Sequence, residues 1–430
     1  MRGRSIPVRN ELVLFLFALS AIMFMERVNF GIAGASIRNE LGIDNLHLGW
    51  AMSALLFGYG VFQLLAGWLA VRIGPRRTIA FGVVWWAVFS ALTTVVHAGL
   101  AHALLVLMLV RFLLGAGESV VFPASSQFVA AWVPMAERGR TNGWIFAGVG
   151  AGAGLTVPLL KWITHTYGWR CSFWFSSAVG LIAGVLWYLA SRDTPEEHAR
   201  VSRAELEHIQ ATRAPKNKEN VEETDDRTWR QLLFNWNSIA LTLTYFSFGY
   251  VAWIFFAWFF IYLNEVRGLD LKGNVIFAMI PFLAMTACCL LGGWMNDTAV
   301  RRWGLRRGRC GVAAGALLLT AVFLLLGARI HGAYLASMVL AGGAGALYIS
   351  QSSYWSVSVD LAGKRSGVVS SLMNFGNQVG AAATASLTPY IAKHYGWVAP
   401  FAVAAVVVAA GGVLWLTIDP SAQEKKLVMQ

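Results

Sequence analysis

The segment LVLFLFALSAIMFMERVNFGIAGA, residues 12–35, decides the fold, because it is an apolar run long enough to cross a membrane. A helix needs about 20 apolar residues to span the hydrocarbon core of a bilayer. Two adjacent charges, Glu26 and Arg27, lie in the middle of this run. Each charge costs roughly 2.5–3.5 kcal/mol at the bilayer midplane. We therefore expect the pair to face protein or water, and we interpret it as part of a functional centre.

The composition of the whole chain indicates an integral membrane protein. Of its 430 residues, 57% are hydrophobic and only 13% are charged, whereas a soluble domain has about 45–50% apolar and 25% charged residues. The apolar segments continue for about 20 residues, which is typical of membrane helices and too long for the strands of a barrel. The predicted fold class is therefore an all-α membrane protein.

Apolar segments recur twelve times along the chain, and the basic residues between them define a topology. The segments cover residues 12–35, 46–70, 78–98, 103–129, 141–163, 170–190, 236–263, 273–296, 311–328, 333–356, 366–391 and 397–417. The two chain ends and one alternating set of loops carry 25 Lys and Arg residues, against 7 in the opposite loops and at the segment ends that border them. This bias predicts that both termini and the central loop are cytoplasmic.

The net charge of +12 follows this loop pattern, so it does not point to a nucleic-acid partner. The arginines that precede the first apolar run also leave a cleaved signal peptide as an alternative. An uncleaved first helix is favoured, because the apolar run continues past the candidate cleavage site and many spans follow.

Three short motifs recur with an offset of 226 to 228 residues and indicate an internal duplication. The motif pairs are GWLAV at 67–71 and GWMND at 293–297, ERG at 137–139 and KRS at 364–366, and YGW at 167–169 and 395–397. They predict two parallel six-helix halves, residues 1–190 and 236–430, joined by a cytoplasmic linker at 191–235. Within the linker, SRAE at 202–205 predicts a capped surface helix. In folds of this kind the substrate binds near the midplane between the halves, which rock about it.

The segment GWLAVRIGPRR, residues 67–77, resembles the signature of the major facilitator superfamily between its second and third helices. The resemblance implies twelve transmembrane helices in two halves and a gating role for Arg72, Arg76 and Asp297. Val71 stands where the superfamily has an acidic residue that helps latch the cytoplasmic side shut. The second copy of the motif retains its acidic residue, Asp297. We therefore expect the contacts that close the cytoplasmic side to be asymmetric between the two halves.

Further motifs resemble the anion:cation symporter family, which includes bacterial sugar-acid importers, sialin and the vesicular glutamate transporters. These motifs are ERVN at 26–29, RFLLGAGE at 111–118, FPA at 122–124 and MNF at 373–375. The resemblance implies that Tyr59 and Asn374 contact the substrate. Trp144 stands where several sugar-acid carriers have a polar residue, so part of their hydroxyl recognition is expected to be missing.

Four charged residues lie deep inside the apolar segments, namely Glu26, Arg27, Arg111 and Glu118. Neighbouring residues on a helix point about 100° apart, so Glu26 and Arg27 need partners on other helices. Arg111 and Glu118 are seven residues apart and share one helix face. A static ion network that fixes helix packing is one interpretation. The favoured hypothesis is a proton-coupled anion site, in which Glu26, Glu118 and Arg111 couple the proton and Arg27 binds the substrate carboxylate.

Polar side chains in two later segments complete the predicted substrate site. Gln378 follows Asn374 in the amide-rich stretch NFGNQ, and Gln351, Tyr354 and Trp355 belong to the polar stretch QSSYW. Hydrogen bonds between helices are the alternative role for the amides. Trp258 and Tyr262 fit either the cavity wall or an aromatic belt at the membrane interface, and the belt is favoured.

Together these features predict a secondary active transporter that imports an organic anion by proton symport and alternating access. The expected substrate is a sugar acid, such as an aldonate, aldarate or hexuronate. Aromatic or small dicarboxylic acids, anion exchange and a membrane ligand sensor are the alternatives. No nucleophile–base constellation or metal-ligand spacing indicates an enzyme, a metal site or a cofactor besides protons. The expected partners are the small organic anion and the lipid bilayer, and the expected state is a monomer in the inner (plasma) membrane.

Overall fold

Twelve helical segments form the protein in the computed structural model, which describes residues 7–133, 138–211, 234–269, 275–362 and 366–420. The first half contains α1 (Val8–Leu41), α2 (Asn45–Ile73), α3 (Pro75–Thr93), α4 (Ala103–Glu118 and Val121–Trp132), α5 (Arg138–Leu155 and Val157–Tyr167) and α6 (Trp169–Ala190). The second half contains α7 (Trp236–Val266), α8 (Val275–Trp303), α9 (Leu305–Arg329), α10 (Ala333–Ile349 and Gln351–Ala362), α11 (Ser366–Tyr395) and α12 (Val398–Trp415).

Each predicted apolar segment coincides with one of these helices, which confirms the predicted fold class. Within the described ranges, nine of the twelve are long and apolar enough to cross a membrane. The other three, α2, α3 and α11, contain 29, 19 and 30 residues. The protein is therefore a multi-pass membrane protein. Most helices extend beyond the predicted ends, since a helix continues past the apolar core of the bilayer.

Three of the helices are interrupted, and a hydroxyl group marks each interruption. Ser119 in α4 and Ser350 in α10 donate hydrogen bonds to backbone carbonyls three residues earlier, at 2.7 and 2.6 Å. Thr156 in α5 donates to the carbonyl of Gly152, four residues earlier. Side chains that bond to the preceding turn compete with the helical ladder. Pro123 follows the interruption in α4, and Pro158 follows the interruption in α5. Each proline lacks a backbone N–H and so removes one donor from the helix.

The two halves use the same pairs of helices. In the first half α1 packs on α5, α2 on α4, and α3 on α6. The equivalent pairs of the second half, α7 with α11, α8 with α10, and α9 with α12, pack together as well. Between the halves, α2 packs on α11 and α5 packs on α8. This arrangement matches the duplication indicated by the recurring motifs, although residues 137 and 364–365 of one motif pair lie outside the described residues.

Glycines of α5 allow close contacts with two other helices. A Cβ atom at Gly152 would overlap the backbone of Ala21 in α1. A Cβ atom at Gly150 would meet the carbonyl of Phe282 in α8. Alternate glycines of one helix thus pack against α1 in the same half and against α8 in the other half.

The linker contains a helix at Arg203–Ala211 that binds the beginning of α1. The backbone N–H of Glu205 donates to the Ser202 hydroxyl at 3.2 Å, which confirms the predicted N-terminal cap. The Glu205 carboxylate does not complete a capping box, because it accepts from the backbone N–H groups of Val8 and Arg9 at 3.2 and 3.0 Å. We call this end of the bundle the linker side and the opposite end the far side.

Helix α7 contains two π-helical turns, at Ile254–Trp258 and Tyr262–Val266. The predicted aromatic belt at this position is wrong, since Trp258 and Tyr262 are buried. The Trp258 indole donates to the carbonyl of Ala385 in α11 at 3.1 Å, and Arg267 donates to the Tyr262 hydroxyl at 2.6 Å. π-Helical turns are frequent at functional sites, and these lie in the helix that packs on α1.

Candidate functional site

Helix α1 directs its two central charges into different surroundings. The carboxylate of Glu26 points into the first half and accepts a hydrogen bond from the Ser90 hydroxyl of α3 at 2.7 Å. Arg27 points the other way, and its Nε donates to the Glu118 carboxylate of α4 at 2.7 Å. The sequence predicted that Glu26 and Arg27 need partners on other helices, and both find them.

Arg111 completes the buried charge cluster, which we define as Glu26, Arg27, Arg111 and Glu118. These four side chains are at most 5% exposed. The Arg111 guanidinium lies 4.0 Å from the centre of the Phe30 ring. Its Nε and Nη1 are buried and have no hydrogen-bond partner in the described part of the chain. Two cations and two carboxylates form a neutral set when all are ionised.

Aromatic rings surround the guanidinium of Arg27. Its Cζ lies 4.6 Å from the ring centre of Phe24, 4.9 Å from that of Tyr59 and 5.3 Å from that of Trp253. The Nη2 atom is buried without a hydrogen-bond partner among the described residues. Cation–π contacts of this kind are worth about 0.5–2 kcal/mol. They hold the cation in place while leaving a donor available to an anion.

A cavity of about 50 Å³ lies between the halves at Arg27. Its lining residues come from α1, α2, α4 and α5 of the first half and from α7, α10 and α11 of the second. They are Phe24, Arg27, Tyr59, Phe122, Phe146, Val149, Tyr245, Phe248, Ala252, Trp253, Phe256, Tyr348, Gln351, Trp355, Asn374, Asn377 and Gln378. A water molecule needs about 10–15 Å³ of such volume, so the central cavity holds only a few.

Most of the predicted substrate residues meet in this central cavity. Six of them line it, namely Arg27, Tyr59, Gln351, Trp355, Asn374 and Gln378. Tyr354 does not, which corrects the expectation from sequence. Its side chain is fully buried behind the wall, where the hydroxyl donates to the carbonyl of Thr244 at 2.9 Å. Glu26, Arg111 and Glu118 are not among the lining residues and lie within the first half.

The sequence profile of the Major Facilitator Superfamily matches residues 15–385 and, a second time, residues 302–429. The chain belongs to the Major Facilitator Superfamily. A solved structure of a bacterial homologue of the human lysosomal transporter Spinster, inward-facing and unoccupied, has the same fold. The two share 14% identity with a TM-score of 0.71, over 96% of this chain and 97% of the other.

Other members of this superfamily are more similar in sequence. A probable sulfoacetate transporter of Cupriavidus necator is 29% identical over 422 residues, covering 96% of this chain and 95% of its own. A D-galactonate transporter of Escherichia coli is 28% identical over 416 residues, covering 94% and 93%. The superfamily and these relatives show that this protein is a transporter and not an enzyme.

Several lining residues of this superfamily member were not singled out from its sequence. Tyr245 and Tyr348 look like ordinary aromatic residues of apolar helices, and only the cavity distinguishes them. Asn377 lies within the amide-rich stretch NFGNQ, and this stretch is the sequence feature that could have identified it as a lining residue. Trp144 was considered as a recognition position, but it is 47% exposed and absent from the lining. Phe146 and Val149 are the residues that α5 contributes, and neither has a polar group.

Among the residues that the structure describes, those with a predicted gating role do not bridge the halves in this conformation. Arg76 donates from Nε to the carbonyl of Tyr188 at 2.9 Å and from its backbone N–H to Asp193 at 2.9 Å. The Arg72 guanidinium lies over the Trp68 ring at 5.2 Å, and Asp297 is exposed. Their gating role stays a prediction. The side chain of Val71 lies outside the description.

On the far side an ion pair connects the halves instead. Arg38, near the end of α1, donates to Glu265 at the end of α7 at 2.9 and 3.3 Å. The same guanidinium donates to Asn45 at the beginning of α2 at 2.6 Å. A second cavity of about 170 Å³ lies beneath this pair, with Lys161, His165 and Glu265 in its lining.

Proposed function

We propose that the protein imports an organic anion together with protons, and that the anion binds in the central cavity with its carboxylate on Arg27. The observation that carries this proposal is the pairing of Arg27 with Glu118. One cation both faces the central cavity and holds a buried carboxylate at 2.7 Å. The named relatives, a probable sulfoacetate transporter and a D-galactonate transporter, support an organic anion as the substrate class.

Competition for Arg27 supplies the coupling. While Glu118 is ionised, its carboxylate takes the guanidinium that a substrate carboxylate needs. A proton that binds Glu118 removes this negative charge, so Arg27 turns to the substrate. A bound substrate carboxylate in turn favours the protonated Glu118, because coupling between two sites is reciprocal. Transfer of one proton with one monoanion moves no net charge across the membrane.

Two amides of α11 favour a hydroxylated acid such as a sugar acid. The Oδ1 of Asn377 and the Oε1 of Gln378 are buried and accept no hydrogen bond from the described residues. An unsatisfied buried polar atom costs about 1–3 kcal/mol. Both residues line the central cavity, so substrate hydroxyl groups can supply the missing donors. The central cavity thus has a charged hydrogen-bond donor, Arg27, and neutral acceptors, the amide oxygens of Asn377 and Gln378, at different places on its wall.

An aromatic acid is the second candidate, and the composition of the cavity wall favours it. Ten of the 17 lining residues are Phe, Tyr or Trp. The rings of Phe146 and Trp355 approach to 5.1 Å from opposite halves, and Phe122 stacks on Phe146 at 4.9 Å. A planar ring between such side chains gains about 0.5–1.5 kcal/mol per aromatic pair beyond its buried area.

The orientation and location belong to the same proposal. The excess of Lys and Arg in one set of loops supports a cytoplasmic linker side, with both termini in the cytoplasm of the cell that carries the protein in its inner (plasma) membrane. The far side then faces the source of substrate and protons. We propose a monomer as the working unit, since the central cavity is built entirely from one chain.

The test is uptake into proteoliposomes under an imposed pH gradient. A panel of aldonates, aldarates, hexuronates, benzoates and short dicarboxylates identifies the substrate by competition. Concentrative uptake that collapses with the gradient supports proton symport, whereas gradient-independent exchange contradicts it. Competition by sugar acids and not by benzoates separates the first candidate from the second.

Glu118→Gln tests the coupling directly. We expect this variant to lose proton-driven accumulation while it retains substrate counterflow, since glutamine cannot take up and release the proton. Glu207→Gln is the matched control, because Glu207 is an exposed residue of the linker helix, and it should accumulate substrate like the wild type. Full concentrative uptake by Glu118→Gln would sink the proposed coupling.

A further inference from the structure

The cavity beneath the Arg38–Glu265 pair, which we call the far-side cavity, is larger than the central cavity. Its volume is about 170 Å³, against about 50 Å³ for the central cavity. Helices α1, α5, α7 and α8 form its wall, so it also lies between the halves. A water molecule needs about 10–15 Å³ of such volume. In this conformation the far-side cavity therefore has room for a small organic acid, whereas the central cavity does not.

One face of α5 supplies cationic and hydrogen-bonding groups to this wall. Lys161 and His165 are four residues apart, so they project from the same face of the helix, and both line the far-side cavity. A lysine ammonium has three N–H donors, so it can bind an anion and a protein group at the same time. The imidazole of His165 offers another N–H donor and a second positive charge when it is protonated.

Two further polar side chains of the wall can bind a ligand. Thr164 and Asn264 both line the far-side cavity. The Thr164 hydroxyl oxygen is buried and has no hydrogen-bond partner in the described part of the chain. A buried polar group without a partner is destabilising, and a ligand or a water molecule relieves this cost.

The carboxylate of the lining, Glu265, is already paired. It accepts hydrogen bonds from both terminal nitrogens of Arg38, at 2.9 and 3.3 Å. Its charge therefore repels an incoming anion less than an isolated carboxylate would. The described polar groups of the wall thus suit an anion with a carboxylate and hydrogen-bonding groups.

The two cavities follow each other along the same helices. On α1, Arg27 lines the central cavity and Gly31 lines the far-side cavity, and on α7 Phe256 and Phe260 do the same. Four residues of a helix span about 6 Å. Between the cavities α1 touches α7, since a Cβ atom at Gly31 would lie 3.0 Å from the carbonyl oxygen of Phe256. Separation of α1 from α7 would therefore join the far-side cavity to the space around Arg27.

We propose that the far-side cavity is an outer binding site, in which Lys161 and His165 bind the carboxylate of the organic anion before it reaches Arg27. This inference rests on the proposed function and adds a second site to the path of the substrate. Thr164 and Asn264 provide further hydrogen bonds to the bound anion. The anion then passes from one set of cationic donors to the next over about one helical turn, so its charge has a partner at both positions.

A cysteine in place of Ser36 measures the occupancy of the outer site. Ser36 is an exposed residue of the far-side cavity, and Cys171→Ser removes the exposed native thiol from the background. The probes are gluconate, benzoate and succinate, one from each candidate substrate class. We expect at least one probe, at twice its Kd, to slow alkylation of the Ser36→Cys variant by a maleimide about threefold, because only unoccupied protein reacts. Sorbitol, which has hydroxyl groups like gluconate but no carboxylate, should not protect.

Further variants separate the outer site from the central cavity. Lys161→Gln removes the ammonium and should abolish the protection, whereas Lys161→Arg keeps the charge and should retain it. His165→Gln is an independent second variant and should weaken the protection. Arg27→Lys changes the central cavity, so protection at the outer site should persist. Lys393→Gln is the matched control and should also retain protection, because Lys393 is an exposed lysine in the last turn of α11 and is not among the described lining residues.

The outcomes are distinct for this inference and for the proposed function. Equal protection in the Lys161→Gln variant and its parent overturns the outer site, and so does the absence of protection by all three probes. Protection that is lost in Arg27→Lys but kept in Lys161→Gln also overturns it, since shielding then follows occupancy of the central cavity. Proton-driven uptake by the wild type leaves the proposed function standing in each of these cases. The expected protection together with gradient-independent exchange contradicts only the proposed proton coupling.

Discussion

At the scale of single residues, Glu26 and Arg27 show how one step along a helix separates two tasks. The 100° between them directs one side chain to hydroxyl groups inside the first half and the other to the space between the halves. Glu26 is bound by Ser90, whereas Arg27 is bound by Glu118 and faces the central cavity. Both side chains are buried within the protein, so the cost estimated for a charge that faces the bilayer core does not apply to them.

Arg27→Lys keeps the positive charge and tests what the guanidinium contributes. A lysine ammonium is a point charge and cannot stack its plane between Phe24 and Tyr59 or bind a carboxylate with two parallel donors. Loss of one hydrogen bond to a charged group costs about 1.5–3 kcal/mol. We expect KM for the substrate to rise roughly 10–100-fold in proteoliposome uptake.

The control for this substitution is Arg203→Lys on the linker helix. Arg203 pairs with Glu207 four residues later, and its side chain is 93% exposed. Its uptake kinetics should match the wild type. A KM for Arg27→Lys within twofold of the wild type would show that charge alone binds the substrate.

At the scale of elements, α5 packs against α1 of its own half and α8 of the other half. Its glycines face α1 on one side and α8 on the other. In membranes, small residues let helices approach closely, and the resulting van der Waals packing drives their association. The glycine-rich stretch of α5 thus explains how one helix belongs to its own half and also contacts the other half.

Gly152→Ala should destabilise the protein at the contact between α5 and α1. The added Cβ would overlap the backbone of Ala21, and a backbone cannot rotate away as a side chain can. Overpacking typically costs about 1–3 kcal/mol. We expect the Tm of the detergent-solubilised protein to fall by several degrees.

Gly143→Ala on the same helix is the matched comparison. A Cβ at Gly143 would meet no heavy atom of the described residues within 4 Å, and alanine has a helix propensity about 1 kcal/mol better than that of glycine. Its Tm should stay constant or rise. Equal effects of the two substitutions would mean that contact with α1 does not limit this position.

At the scale of the whole molecule, the halves meet through paired helices, and among the described residues the Arg38–Glu265 ion pair joins them on the far side. The α2–α11 and α5–α8 contacts are equivalent under the duplication. Within the described ranges, the Arg38–Glu265 pair has no counterpart in the predicted linker-side latch, because Arg72, Arg76 and Asp297 do not bridge the halves there. In the proposed transport cycle, rocking of the halves that opens the far side would require this pair to break.

Glu265→Gln should expose the far-side cavity more often. The pair is 21% and 29% exposed, and pairs of this kind contribute about 0.2–1 kcal/mol. A cysteine placed at Ala278, a buried residue of that cavity, reports on opening in a background without the exposed Cys171. We expect its alkylation by a maleimide to be about two- to fivefold faster in the Glu265→Gln variant.

Glu11→Gln is the control for this measurement. Glu11 of α1 pairs with Arg200 of the linker at 2.7 Å, and this pair does not involve the second half. Removing that pair should leave the alkylation rate at position 278 unchanged. An equal rate in the Glu265→Gln variant would show that the far-side ion pair does not hold the halves together.

The sequence determined the number of helices, the two halves and the four buried charges. These are local properties, because apolar length, charge cost and the spacing of motifs depend on neighbours along the chain. The rotation of each helix depends on contacts between segments far apart in sequence. For this reason the sequence predicts Tyr354 in the cavity lining although its side chain lies behind the wall. For the same reason the sequence does not distinguish Phe146 and Tyr245 from other aromatic residues of apolar helices.

The partners of the charges were also decided only by the tertiary structure. The sequence shows that Arg27 needs a carboxylate on another helix, and it offers both Arg27 and Arg111 for Glu118. The packing of α1 on α4 selects Arg27 and leaves Arg111 over the Phe30 ring. Which arginine pairs with Glu118 is important because the pair is buried. The free energy of an ion pair removed from water depends on the distances that the surrounding helices set.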